Sequence, residues 1–187
     1  KQSKSKKLID FQNKNENLKL WYRIFGKKDK YNILDNEYKN NFMERIKNIC
    51  HNADINSRFM SDDPTIIMAF LPNNDIDKIS KATKNLLEKN KVIPEFEIVI
   101  INSLSCGNNS KEMINNGYLN AKNKGLKGVL VLSGRQCSLG VTIHNCDIVL
   151  LLNNSNSFDM IYQMMFRCMN KGKNKKCGFV IDPNIHR

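Results

Sequence analysis

The sequence predicts an α/β domain, a parallel sheet with helices on both faces. Three observations predict it. From residue 61 onward, short apolar runs recur at intervals. Amphipathic helical stretches separate them. The runs are apolar throughout rather than alternating with polar residues, the mark of strands buried on both faces. A Lys- and Asn-rich, partly helical extension, residues 1–60, precedes the domain at 61–187.

The elements follow in order. Residues 1–7 are lysine-rich and are expected to be disordered. Trp21, Tyr22, Ile24 and Phe25 are too apolar for a free linker and are expected to pack somewhere, a part of the protein outside this chain being one place for them. Residues 38–50 carry Phe42, Ile46 and Ile49 at helical spacing. "TIIMAFL" (65–71) is the first strand. The helix "DIDKISKATKNLLEKN" (75–90) turns Ile76, Ile79, Ala82, Thr83, Leu86 and Leu87 inward, with Asp75 as its expected N-cap. "FEIVII" (96–101) is the second strand. A weaker helix spans 110–123, with Ser110 as its expected cap. "GVLVL" (128–132), "CDIVLLL" (146–152) and "CGFVID" (177–182) are further strands, and "SFDMIYQMMFRCM" (157–169) is the last helix. The lysine-studded stretch 171–176 reads as a solvated connection to the final strand.

Thirty Lys and Arg stand against 18 Asp and Glu, a formal net charge of +12. That balance points to a polyanionic partner, nucleic acid ahead of a membrane surface. The lysines are scattered, so a well-solvated surface also accounts for them. No apolar run reaches the roughly 18–20 residues of a membrane span, and no apolar signal core follows the basic N-terminus. The six cysteines form no CxxC pair, and His51, His144 and His186 complete no zinc spacing. Reduced, buried thiols without a metal are expected, in an intracellular reducing compartment such as cytoplasm, nucleus or virion. The chain starts at Lys1 without an initiator Met and reads as a piece of a longer protein.

In parallel sheets ligands collect at the carboxyl ends of the strands. The turn "SGRQCSLG" (133–140) sits at such an end. Its amides, hydroxyls and Arg135 suit a phosphate group; the plainer reading is a tight turn needing Gly134 and Gly140. Asn102 and Ser103 end another strand and could bind phosphate or simply close a loop. On the last helix Phe158, Ile161, Tyr162, Met165, Cys168 and Met169 share an apolar face. Asp159, Gln163, Arg167 and Asn170 form a polar stripe beside it, fit to reach into a cleft or merely solvated. No phosphate loop and no DExx box occur, so the chain is not a complete motor.

Taken in order, these pieces resemble the C-terminal RecA-like domain of superfamily 2 helicases, over about residues 61–187. "TIIMAFLPNNDIDKISKATKNLLEKN" looks like motif IV. "VLVLSGRQCSLGVTIHNCDIVLLLNNSNSFDMIYQMMFRCMN" looks like motifs V and VI, and "GFVIDPN" like the closing strand. "LGVTI" also resembles the "LGxNL" of Swi/Snf-type remodellers, and "YQMMFRCM" resembles helicases of large eukaryotic DNA viruses.

The resemblance implies that ATP and Mg2+ are bound mainly by a preceding RecA-like domain, which residues 1–60 would link to this one. Gln163 and Arg167 match the Gln and first Arg of motif VI, and Arg167 would act as an arginine finger. Gly140 matches the motif V glycine. Thr142, Asn170 and Asp159 fall at ATP-site or coupling positions. Asn102, Ser103, Ser133, Arg135 and Ser138 would grip the phosphate backbone of DNA or RNA without reading bases. The sequence departs from the family at three positions: Phe166 replaces the usual glycine, Asn170 replaces the second arginine, and Thr142 replaces an acid. The implied function is a helicase or translocase motor domain, inactive as an ATPase on its own. The alternatives are a non-catalytic nucleic-acid-binding module, a Swi/Snf-type translocase and a small-molecule α/β enzyme; for the last, no acid or nucleophile stands well placed at a strand end.

Overall fold

A computed structural model describes residues 9–31, 33–53, 62–102, 109–134, 146–172 and 175–184. Five strands form one sheet: β1 Thr65–Phe70, β2 Phe96–Ile101, β3 Gly128–Ser133, β4 Cys146–Leu151 and β5 Phe179–Ile181. Their spatial order is β2-β3-β1-β4-β5, and every pairing is parallel. The predicted sheet is therefore present. Its three central strands are buried at every position, whereas β2 and β5, at the edges, are only partly covered. This is why the central strands read as unbroken apolar runs.

The helices are α1 Lys14–Phe25, α2 Phe42–Asn52, α3 Ile76–Lys89, α4 Ser110–Asn123 and α5 Phe158–Met165. Two apolar layers flank the sheet. Ile67, Ala69, Leu130, Leu132, Ile148 and Leu150 share one layer with Leu20, Trp21 and Ile24 of α1, Met43 and Ile46 of α2, and Ile79 and Leu87 of α3. Ile66, Met68, Phe70, Val129, Val131 and Val149 share the other with Ile114 and Ala121 of α4 and Met164 of α5. The chain steps outward from β1 to β2 through α3 on one face and returns to β3 through α4 on the other. Right-handed crossovers in opposite directions require that change of face.

The apolar residues of the extension pack, as expected, but on this chain's own sheet and from a further helix. Helix α1 has no counterpart in the sequence reading, and its Trp21 and Ile24 are fully buried in the chain's own core. Asn13 caps it, its side-chain oxygen accepting from the Asn15 and Glu16 amides at 3.1 and 3.4 Å. Asn41 caps α2 likewise, accepting from the Glu44 amide at 3.0 Å. Neither cap stands out in the sequence, because Asn is so common in this chain that each one carries little signal. Asp75 does precede α3, but it sits in the left-handed region (φ 55°) and its side chain makes no capping bond. Asn109, rather than Ser110, stands at the cap position of α4.

The last helix is shorter than expected. After Met165 it tightens into a 3₁₀ turn, Phe166–Cys168. Its apolar face also divides differently. Met164 and Cys168 are buried, and Met160, Ile161 and Met165 pack partly against the same layer. Phe158, Tyr162, Phe166 and Met169 are exposed. The three rings form a ladder on the outer surface, with centroids 5.6 and 4.4 Å apart.

Candidate functional site at the strand ends and the last helix

The carboxyl ends of β1, β2 and β3 meet the first turns of α3. Leu71, just past β1, donates its amide to the Ser133 carbonyl at 2.7 Å, which ties the end of β1 to the end of β3. The Asn102 side chain, 2% exposed, points down into this junction. Its amide donates to Asp77 Oδ1 at 3.2 Å and to Ser80 Oγ at 3.5 Å, both on α3. The Ser133 hydroxyl is fully buried and donates to the Gly134 carbonyl at 3.2 Å. Gly134 itself lies against Ile76 and Asn73, where a Cβ would come within 3.0 Å of the Ile76 side chain. As placed, the side chains of Asn102 and Ser133 fasten the bases of two strand-end loops.

Asp77 belongs to no motif of the sequence, yet it is the polar centre of this junction. Lys81 Nζ bonds its other carboxylate oxygen at 2.8 Å. The Lys81 ammonium, and to a smaller extent the Asn102 amide, hold the Asp77 carboxyl below its usual range, with desolvation opposing them. The i,i+4 spacing of Asp77 and Lys81 was legible, but the link to Asn102 depends on β2 lying beside α3.

At the end of β4, Asn153 is 6% exposed. It donates to the Met164 sulfur at 3.1 Å, and its side-chain oxygen accepts from the Ser155 amide at 3.0 Å. It thus fastens the β4–α5 connection to α5. Ser157 begins the helix, its hydroxyl accepting from the Met160 amide at 3.5 Å.

Along α5, Asp159 and Gln163 are exposed, one helical repeat apart. Arg167 and Asn170 follow beyond the α-helix and are half-buried. A 3₁₀ residue turns by about 120° rather than about 100°. Arg167 therefore leaves the line set by Asp159 and Gln163, and its Nε is shut off from solvent. Ser103, Arg135, Ser138, Gly140 and Thr142 lie outside the described residues.

The fold and these contacts define a parallel α/β domain whose polar side chains gather at the carboxyl edge of the sheet and on the last helix. No family model matches the sequence, and no curated protein matches it. Similar solved structures include the C-terminal part of the Fun30 ATPase domain, at 12% identity over 83% of this chain and 46% of that one, TM-score 0.46. T4 UvsW is similar at 14% identity over 75% and 28%, TM-score 0.41. The Pyrococcus furiosus Hef helicase domain is similar at 15% identity over 75% and 25%, TM-score 0.36. The chain spans less than half the length of each. All three scores lie below 0.5. Among the described residues, no helix is long and apolar enough to cross a membrane.

Proposed function

We propose that this chain is the C-terminal RecA-like motor domain of an ATP-dependent superfamily 2 helicase or translocase. The observation that carries the reading is the pair Gln163 and Arg167. Gln163 stands exposed on α5, and Arg167 follows on the ordered turn that ends the helix, beside a packed Cys168. A planar guanidinium on such a turn suits charge that develops on a phosphoryl group, and the neutral Gln163 amide, one turn earlier in the chain, can accept or donate a hydrogen bond. Asp159, Asn170, Gly140 and Thr142 belong to the same nucleotide-facing or coupling region in this reading.

The residues present fit a phosphoryl group and do not fit Mg2+. The candidate set is a cation, neutral amides and the one carboxylate of Asp159, and Mg2+ is held through carboxylates and water. Among the described residues, no group of three or more His, Cys, Asp or Glu is placed to hold a metal. ATP and Mg2+ would then be held mainly by a preceding RecA-like domain. When bound, they would supply the phosphoryl group and neutralise its charge; this chain would contribute Arg167 and Gln163.

The loops after β2 and β3 are the proposed grip on the phosphate backbone of DNA or RNA. Ser103, Arg135 and Ser138 would make the contacts, with Asn102 and Ser133 bracing the loop bases from below. Cleft closure and opening during ATP turnover would shift that grip along one strand.

The test uses the full-length protein. Arg167→Ala should lower nucleic-acid-stimulated ATP turnover about tenfold or more and leave oligonucleotide affinity nearly unchanged. Turnover at the wild-type level would remove the arginine-finger role and favour a non-catalytic binding module. Loss of Arg135 should weaken binding alike for all sequences and flatten its salt dependence.

A further inference from the structure

The lysine-studded loop is more than a solvated connection. Lys175 is half-buried, and its ammonium donates to the backbone carbonyls of Cys168 and, at 2.9 Å, of Asn170. Cys168 is the last residue of the turn that carries Arg167, and Asn170 stands two residues past it. Carbonyls at a helix end have no partner within the helix, and they carry the negative end of its dipole. The Lys175 ammonium thus bonds them where a cation is most favourable. An antiparallel bridge joins Gly172 and Lys175, with the Lys175 amide donating to the Gly172 carbonyl at 3.2 Å.

Gly178 also lies against this turn. Its backbone lies so near Cys168 that a Cβ at 178 would collide with the Cys168 carbonyl. Both contacts converge on the residue that follows Arg167, whose Nε is shut off from solvent.

We propose that Lys175 and Gly178 are positioning residues for Arg167: together they lock the 3₁₀ turn, so that the guanidinium leaves the surface in one direction. This rests on the reading of Arg167 as the group aimed at a phosphoryl. The device replaces what sequence alone would assign to the motif helix itself. The turn is short and 3₁₀ in geometry, which is weak by itself, and the charge that stabilises it comes from the next loop.

Two measurements test it, one of them independent of activity. In the 15N-labelled chain, hydrogen exchange at Arg167 Nε should be slow. Lys175→Met and Gly178→Ala should speed it at least tenfold while the chain stays folded by its melting transition; Lys175→Arg, which keeps a donor cation, should restore slow exchange. If Lys175→Met does not fold, Lys175→Gln, which keeps a donor without the charge, serves in its place. Exchange that stays slow in every folded variant overturns the proposal.

In the full-length protein, Lys175→Met should lower kcat at least fivefold with KM and oligonucleotide affinity unchanged. The double variant with Arg167→Ala should be no worse than Arg167→Ala alone. If Arg167→Ala itself leaves turnover intact, the finger reading falls, while the exchange result still decides whether Lys175 holds the turn. If Arg167→Ala impairs turnover and the two changes add independently, Lys175 does not act through Arg167 and the proposal is wrong.

Discussion

Asn17 and Thr83, 66 positions apart, share a buried hydrogen bond of 3.2 Å. It joins α1, in the extension, to α3, on the sheet. The same Asn17 amide donates to the Phe11 carbonyl at 3.1 Å, and its oxygen accepts from the Trp21 indole at 2.8 Å. One side chain thus satisfies three buried polar groups between the extension and the sheet.

Asn17→Leu should therefore cost more than a surface change. It leaves the indole N–H and the Thr83 hydroxyl without this partner inside a packed layer, a loss of about 2–3 kcal/mol. Urea denaturation at neutral pH should show a lower midpoint in a single transition. Trp21→Ala, which empties a fully buried site, should cost about 3–5 kcal/mol.

Asp147 mends a break in the sheet. Ile66 pairs with Cys146 and Ile67 with Ile148, so the β1–β4 register shifts by one residue at Asp147. Its carboxylate accepts from the Ile66 amide at 2.9 Å, at a site 3% exposed. Asp147→Ala should strand that amide and destabilise the chain by about 2–3 kcal/mol, measured by the same denaturation. Asp147→Asn, which keeps an acceptor oxygen, should lose less.

The Asn102–Asp77 bond should show in the acid limb of stability. The Asp77 carboxyl is held low by Lys81 first and then by Asn102. A depressed carboxyl contributes stability that is present above its ordinary range and lost as pH falls through the folded-state value. Asn102→Ala should be destabilised at neutral pH, and the gap to the parent should narrow on acidification. The Asp77 carboxyl should titrate higher in the variant by NMR. An unmoved titration would mean that Asn102 does not support the charged form.

Cys168 should govern part of the alkaline limb. Burial pushes its thiol up to about 11, and the nearby Lys175 charge pulls the other way. A raised folded-state value means that stability is full below the ordinary thiol range and falls as pH rises towards 11. Melting temperatures measured from neutral pH upward should decline less steeply in Cys168→Ala. Thiol alkylation of the folded chain at neutral pH should be slow at Cys168.

Part of the candidate site was legible. Gln163 and Arg167 stood out because they recur at helical spacing beside an apolar face. What their spacing could not show is that the α-helix stops at Met165, since residues 166–168 have no Gly or Pro to mark it. The exposed Phe158–Tyr162–Phe166 ladder was equally hidden, because a helical stripe of rings looks the same whether it faces the core or the surface. Lys175 read as a solvated lysine because its partners are backbone carbonyls, which leave no trace in side-chain patterns.

By itself the sequence determined the parallel sheet and the order of its strands and helices along the chain. Burial on both faces forces continuous apolar runs, and a helix crossing between them must be amphipathic, so both patterns are written locally. The tertiary structure alone decided that Trp21 completes the core, that Asn102 turns inward to Asp77, and that Lys175 closes the Arg167 turn. Those contacts join groups from separate elements, and a hydrogen bond between them exists only once the crossovers have brought the elements side by side.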